Sequence, residues 1–496
     1  MSTPTRAQQF SVVLIIELWE RFGFYGIQAV LLLFMVERLG MDDARATLLW
    51  GAFTALLYCT PVLGGWLGDR VLGSRRCMVI GATTLAFGYL LMALPASTTT
   101  LLYVAMGAVV AGYGLFKPNA ANLVRSIYAG DDSRLDAAFT LYYMSVNVGS
   151  TVSILLSPWL KDRFGWHVAF AASFVGLSAA LAGYALLHRR LEGIGSTPDL
   201  VPLNRGRAAV TLAGIPVVTL ASAIVLQHPA LARACVWLAA IGVVAFAAEL
   251  FRRSSRAERP GLLTMYLLTL QAMLFFVFYQ QQATSLTLFA LRNVDLHFGI
   301  GGTTLFTMSP GQFQALNPIW IMALSPVLAW GYSQLGRQGR DLPIAVKFLL
   351  GFTSIGAAFL VWMLSAGDPA HPIVSPWIMV AGYGLLSFGE LLTNGLGYAM
   401  VSRYVPKQTG ALMMGAYSVA AGVALYLGGI VANWAAIPHG LGTLDPAISL
   451  PVYHALFLRL LLLALGVMVL CALLLPLIAR LDRAHKLAQA PASPRM

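Results

Sequence analysis

Apolar runs of about 20 residues recur along this chain with short polar joints between them. A helix of that length crosses a hydrocarbon layer roughly 30 Å thick while satisfying its own backbone hydrogen bonds. Read against Gly, Pro and charged breaks, the runs lie near 11–36, 46–68, 76–95, 100–123, 137–160 and 165–187, and again near 262–290, 313–335, 343–365, 375–401, 408–434 and 452–480. Two more, 208–227 and 231–251, separate the blocks. A β-barrel would show short alternating segments instead. With 58% hydrophobic and 10% charged residues, the chain is too apolar for a water-facing surface.

The expected fold is therefore all-α and polytopic: two six-helix bundles with a pair of extra helices between them. The expected divisions are an N-terminal bundle at 1–188, a connector at 189–260, a C-terminal bundle at 261–482 and a cytoplasmic tail at 483–496. Because the extra helices are two, both bundles keep the same orientation. No binding role follows from the connector sequence.

The net charge of +12 raises nucleic acid as a partner, but the basic residues are spread over many loops rather than gathered in a stripe with aromatics. Their distribution is topological. One side holds Arg6, Arg70, Arg75, Arg76, Arg125, Arg134, the connector flanks Arg189, Arg190, Arg205, Arg207, Arg252, Arg253, Arg256 and Arg259, and then Arg337, Arg340, Lys347, Arg403, Lys407, Arg480, Arg483, Lys486 and Arg495. The other holds Arg38, Arg45, Lys161, Arg163, Arg233, Arg292 and Arg459. Both termini are expected in the cytoplasm, with insertion through the first helix, since MSTPTRAQQF has no signal-peptide cleavage pattern. Cys59, Cys77, Cys235 and Cys471 lack CxxC spacing and read as small packing residues.

Two helical bodies joined by a linker suit a rocking carrier whose central site faces either side in turn. Between spans two and three stands Gly64-Gly65-Trp66-Leu67-Gly68-Asp69-Arg70, followed by Gly73, Arg75 and Arg76. Glycines permit close helix approach, and Asp69 and Arg70 can cap and pair at helix ends as a conformational latch. The alternative is an ordinary basic loop. The spacing resembles the signature loop of the major facilitator superfamily.

Inside the spans remain Glu17, Glu20, Arg21, Lys117 and Glu390. An ionisable group at bilayer depth costs at least about 2.5–3.5 kcal/mol, so each needs a partner, a wet cavity or a function. Glu249, close to Arg252 and Arg253, reads as a helix-end residue. At 100° per residue, Glu17, Glu20, Arg21, Phe24, Tyr25 and Gln28 share one face of the first helix. Arg21 does not deprotonate in practice, whereas a carboxyl group taken out of water can carry a proton near neutral pH, so the glutamates are the candidate proton carriers. Lys117 is expected to pair with Glu17 or Glu20. A static salt-bridge network that only fixes packing is the alternative.

Glu17-Leu-Trp-Glu20-Arg21-Phe22-Gly23-Phe24-Tyr25-Gly26 resembles the ExxER(F)xYYG signature of the proton-dependent oligopeptide transporter family, with Phe24 for the first tyrosine. The resemblance runs on through Gly64–Arg70, Phe116-Lys117-Pro118-Asn119, Tyr142 to Gly149, Gln314-Ala315-Leu316-Asn317-Pro318 and Gly389-Glu390-Leu391. It implies that Glu17, Glu20, Arg21 and Lys117 form the proton-linked network. Glu390, with Asn147 and Asn317, would hold a peptide amino terminus, and Lys117, with Tyr25 and Tyr58, its carboxylate. A zwitterionic substrate needs a cation on one wall and an anion on the other, and Lys117 and Glu390 belong to opposite bundles. Tyr25 and Tyr58 also suit plain packing, and Asn147, Asn317 and Asn394 suit interhelical bonding. In the run Tyr279-Gln280-Gln281-Gln282, at least one amide is expected to face a wet cavity.

Two further positions depart from the family pattern: Gln28 stands where many members have Arg, and Gln281 where many have Glu. Both charges are absent together, which removes one candidate proton site and one carboxylate anchor while leaving Gln28 and Gln281 as neutral candidates for substrate contact. The expectation is a proton-coupled symporter of di- and tripeptides in a bacterial inner membrane, working as a monomer by alternating access, with the proton gradient as driving force and no cofactor, metal or nucleic acid. A carrier of nitrate or another small anion and a non-transporting ligand sensor are the rivals. A membrane enzyme is disfavoured, because HExxH, GxSxG in context and a metal-ligand cluster are all missing from the sequence.

Overall fold

A computed structural model describes residues 4–94, 98–340, 342–394, 397–406, 408–437 and 445–489. Residue 95 at the edge of the third expected span, residues 395 and 396 within the tenth expected core span, and residues 490–496 of the expected tail lie outside these.

The first half comprises α1 (Arg6–Leu33), α2 (Asp43–Cys59), α3 (Pro61–Arg70), α4 (Ser74–Ala93), α5 (Thr99–Ile127), α6 (Asp132–Phe164) and α7 (Trp166–Leu187). The connector holds α8 (Arg205–Gln227) and α9 (Pro229–Arg253). Then follow α10 (Arg259–Tyr279), α11 (Ser285–Asn293), α12 (Leu316–Arg337), α13 (Ile344–Ser365), α14 (Trp377–Thr393), α15 (Gly397–Tyr404), α16 (Gly410–Ala432) and α17 (Pro446–Gln489). Among the described residues, 12 helical stretches are long and apolar enough to cross a membrane. To these add α1, equally long but carrying Glu17, Glu20 and Arg21, and the shorter α14. The fourteen-span pattern expected from the apolar runs is thus the fold observed. A break at Thr60–Pro61 divides the second span into α2 and α3, because proline at a helix start has no N–H to contribute to the preceding turn. The final helix runs past the expected end, to Gln489.

Among the described residues, one supersecondary element is not helical. Between α11 and α12 an antiparallel hairpin pairs β1 (His297–Ile300) with β2 (Thr303–Thr307). Gly301 and Gly302, at φ of 60° and 85°, make its two-residue turn, a conformation open to glycine and closed to most side chains. The all-α expectation therefore gains a small β excursion.

Helix starts follow local chemistry. Thr5 and Gln8 form a capping box on α1, with Gln8 N–H donating to Thr5 Oγ1 at 3.3 Å and Thr5 N–H to Gln8 Oε1 at 3.0 Å. Thr98 caps α5 and Asn204 caps α8 in the same manner, each accepting from a backbone N–H three residues on. Cys77 and Cys471 are buried and all four cysteines are free, in keeping with packing residues.

Two compact units result, one of Met1–Cys235 with Met308–Pro318, the other of Val236–Thr307 with Ile319–Met496. In the first, α3 lies so close to α5 that a Cβ on Gly64 would stand 1.9 Å from Gly114 O. Asn119 Nδ2 bridges this approach, donating to Gly64 O at 2.9 Å and Leu115 O at 2.7 Å.

The start of the connector is clipped to the same corner. Asp199, 5% exposed, accepts from the backbone N–H of Arg75 at 2.9 Å, Arg76 at 3.4 Å and Ser196 at 3.2 Å, and so caps α4 from 120-odd residues away. Ser196 Oγ donates to Gly68 O at 2.6 Å and accepts from Ser74 N–H at 3.0 Å. Arg75 donates to Leu191 O at 2.6 Å, and Arg76 to Pro198 O and Val201 O, both at 2.9 Å. Gly73, at φ 107°, brings its backbone against the Asp199 carboxylate where a side chain would collide.

Candidate functional site

The conspicuous polar feature of the first unit lies on α1. Glu17 and Glu20 are fully buried and Arg21 is 4% exposed. Three and four residues apart on a helix, Glu17, Glu20 and Arg21 share a face, and the face turns inward because no lipid-facing position could solvate it. Arg21 grips Glu20 with two donors, Nε to Oε2 at 2.6 Å and Nη2 to Oε1 at 2.8 Å. This two-point geometry is the strong form of the guanidinium–carboxylate pair. The Arg21 Nε also stands 3.5 Å from Glu17 Oε1.

Lys117, reaching in from α5, donates to Glu17 Oε1 at 2.8 Å. The pairing expected with one of the two glutamates is thus made with Glu17. Two cations and two carboxylates balance, which suits a site where a lone charge would be prohibitive. Aromatic faces complete the surroundings. The Arg21 guanidinium lies 5.2, 5.3 and 5.8 Å from the ring centres of Phe24, Tyr113 and Tyr25, and Lys117 Nζ lies 5.7 Å from that of Tyr142. Glu17 Oε2 and the Tyr142 hydroxyl are both buried and without a hydrogen bond among the described residues. The Tyr142 hydroxyl is the neighbouring donor for this carboxylate, close enough to interact with it though outside good hydrogen-bond geometry.

Tyr113 and Tyr142 were not singled out from sequence, although Tyr113 sits one helical turn before Lys117 and so on its face. The spacing was legible; the role of the ring as a cation platform required the neighbouring helix.

Tyr25 and Gln28 continue the α1 face, both half-buried. Gln28 Nε2 donates to Gln314 Oε1 at 3.1 Å, on the short 3₁₀ segment Pro310–Ala315 that precedes α12 and belongs to the first unit. Tyr25 packs against the buried trio Ala29, Ile154 and Ala315. On the same segment Ser309 donates to Asp162, and Gln312 Nε2 to Leu155 O at 2.6 Å. Lys161 links Asp162 at 2.9 Å and Glu37 at 3.7 Å. Tyr58 is half-buried on α2, Asn147 is buried on α6 with Nδ2 donating to Tyr143 O at 2.9 Å, and Asn317 is buried at the head of α12. Asp69 and Arg70, exposed at the end of α3, are not paired with each other by a salt bridge; Asp69 accepts from Asn122 Nδ2 at 3.0 Å.

In the second unit, Glu390 is 8% exposed on α14, and Asn394 follows at its C-terminal cap, its N–H bonded to Glu390 O. The helix turns 3₁₀ at Gln280–Ala283, and the three glutamines there are 3%, 0% and 5% exposed. Of the three amides, that of Gln281 is spent on protein groups: Gln281 Nε2 donates to Val277 O at 2.9 Å and Gly428 O at 3.0 Å, and Oε1 accepts from Ser285 at 2.7 Å. This amide ties the end of α10 to α16.

With the geometry in hand, the likenesses to known proteins are specific. A sequence model of the POT family matches residues 75–441. Dipeptide and tripeptide permease A of Cronobacter turicensis is 39% identical over 488 residues, covering 98% of this chain and 96% of the relative. The protein of that name from Escherichia coli K12 is 39% identical over 486 residues, covering 97% and 95%. Among solved structures, tetrameric PepTSo2 superposes with a TM-score of 0.87 at 47% identity, over 96% of this chain and 99% of that one. A bacterial homologue of the human drug peptide transporters PepT1 and PepT2 gives 0.84 at 46%, over 96% and 100%.

Proposed function

The chain belongs to the POT family of proton-dependent oligopeptide transporters, and on that premise we propose that it imports di- and tripeptides by proton-coupled symport, through alternating access. It is a carrier and not an enzyme. It resides in the bacterial inner membrane as a multi-pass protein.

The observation that supports proton coupling is the buried α1–α5 network. Lys117 and Arg21 neutralise Glu17 and Glu20 at rest. In the proposed cycle, a proton taken up by a glutamate frees its cation, and the substrate carboxylate takes the vacated place on Lys117. Binding of proton and peptide are then the same event seen from two sides, which is how a shared charge couples two ligands. Glu390, assisted by Asn147, Asn317 and Asn394, is proposed to receive the peptide amino terminus. Tyr25, Gln28 and Tyr58 are proposed as neutral contacts, and Asp69 and Arg70 as the latch, with the amide of Gln281 spent on Val277 O, Gly428 O and Ser285 instead. Glu17, Glu20 and Glu390 carry the coupling in a chain that has Gln28 and Gln281 in place of a charged pair.

We further propose both termini in the cytoplasm, working divisions at 1–188, 189–260, 261–482 and 483–496, and a single chain as the transporting unit, driven by the proton gradient without a cofactor. A related structure is described as tetrameric. Uptake of a labelled dipeptide into proteoliposomes, with and without an inward pH gradient, tests the reading. Gradient-dependent accumulation that unlabelled tripeptide inhibits and nitrate does not is the expected result; uptake indifferent to the gradient contradicts it.

A further inference from the structure

Away from the charge network, α3, α5 and α8 enclose a groove of about 570 Å³, within the roughly 300–1,000 Å³ range of small-molecule sites. Leu63, Trp66 and Leu67 form one wall, and Val210, Ile215 and Val218 another. The hydroxyls that line it are already spent: Thr60 Oγ1 donates to Leu56 O at 3.0 Å, and Thr211 Oγ1 to Arg207 O at 2.9 Å. What remains is a channel able to take a hydrocarbon chain and little else. It is open on one side, where Leu63, Trp66 and Val210 are 63%, 54% and 74% exposed, an apolar surface that an acyl chain can cover.

At one end the groove meets a second hollow of about 300 Å³, with Val71, Asn204 and Arg207 common to both. Its rim carries Arg70, Arg76 and Arg207. The Arg76 guanidinium is held by the carbonyls of Leu72, Pro198 and Val201. Arg70 and Arg207 are exposed, and neither guanidinium donates a hydrogen bond or closes a salt bridge among the described residues. Asp69 lies on the same rim with its carboxylate bonded to Asn122. The basic end is the side that the positive-inside rule assigns to the cytoplasm, where anionic headgroups gather.

We propose that this groove binds one anionic phospholipid, its acyl chain between α3 and α8 and its phosphate on Arg70 and Arg207. An apolar slot ending in two unspent guanidinium groups matches a phosphodiester on an alkyl chain in both shape and charge. The connector then has a use: Pro198, Val201 and Asn204 build the headgroup rim, and α8 builds the tail wall.

Native mass spectrometry of the full chain in mild detergent, titrated with phosphatidylglycerol or phosphatidylcholine, tests this. One phosphatidylglycerol should be retained with about thirtyfold preference, given about 1 kcal/mol for each of the two arginines near its headgroup. The R70Q/R207Q double variant should lose that preference, while Arg233→Gln, on α9, should keep it. An added Cβ at Gly214 meets nothing within 4 Å, so a side chain there starts into open space, and Gly214→Leu should occupy part of the tail slot and lower binding of both lipids. Unchanged helicity by circular dichroism verifies folding, and if the arginine pair proves unstable the Gly214 variant alone decides. Equal retention of the two lipids, full phosphatidylglycerol binding in the variants, or displacement of the lipid by inorganic phosphate at equal concentration would each overturn the proposal.

Discussion

Lys117 Nζ stands 2.8 Å from Glu17 Oε1, joining α5 to α1 across 100 residues of sequence inside a bilayer-spanning bundle. Among the described residues, the carboxylate has only Arg21 Nε, at 3.5 Å, as a further cation. Removing Lys117 leaves a fully buried charge half compensated, a change that costs about 3–5 kcal/mol when the remaining partner is stranded. Lys117→Met should therefore depress the melting temperature in detergent, and the E17Q/K117M pair should recover most of the loss while transport stays impaired. A double variant no more stable than Lys117→Met would remove the energetic basis of the pair.

Glu20 has both oxygens on Arg21. One proton crossing 100 mV is worth about 2.3 kcal/mol, enough for a tens-fold peptide gradient. In Glu20→Gln, gradient-driven accumulation should collapse toward equilibrium while exchange of labelled for unlabelled peptide persists. Full accumulation in this variant is the outcome the coupling scheme does not survive.

Glu390 is the buried acidic residue of α14. Truncating one member of a buried charge pair costs about 2–5 kcal/mol, so Glu390→Gln should raise KM for a free dipeptide at least tenfold. The same variant should handle an N-acetylated dipeptide no worse than the unaltered chain does. Equal losses on both substrates would place Glu390 in the scaffold instead.

Gly64 and Gly65 offer a steric test of the α3–α5 contact. A Cβ at Gly64 would lie 1.9 Å from Gly114 O, whereas one at Gly65 would meet Pro118 Cβ at an ordinary 3.4 Å. Gly64→Ala should destabilise by about 1–3 kcal/mol, read as a lowered melting temperature, and Gly65→Ala should be near neutral.

Asp199 caps α4 from the connector. Losing a cap costs about 0.5–2 kcal/mol, and here the connector anchor goes with it. Asp199→Ala should lower the melting temperature and speed limited proteolysis between 191 and 204; unchanged cleavage would show that Arg75 and Arg76 hold the segment unaided.

The spans, their order and the inward face of α1 were determined by the sequence alone, because lipid leaves so few alternatives: a long apolar run must be a helix, and Glu17, Glu20 and Arg21 on one side of it must turn from the hydrocarbon. Lys117 was recognisable as a partner for the same reason. Tertiary structure decided what depends on two distant backbones meeting. It assigned Lys117 to Glu17 and Arg21 to Glu20, and set the rings of Tyr113 and Tyr142 under the cations. It closed Gln281 onto Gly428, a carbonyl 147 residues away in sequence. It also brought Asp199 to the start of α4, a contact no local pattern announces, since a carboxylate in a loop satisfies a helix end anywhere the chain can carry it.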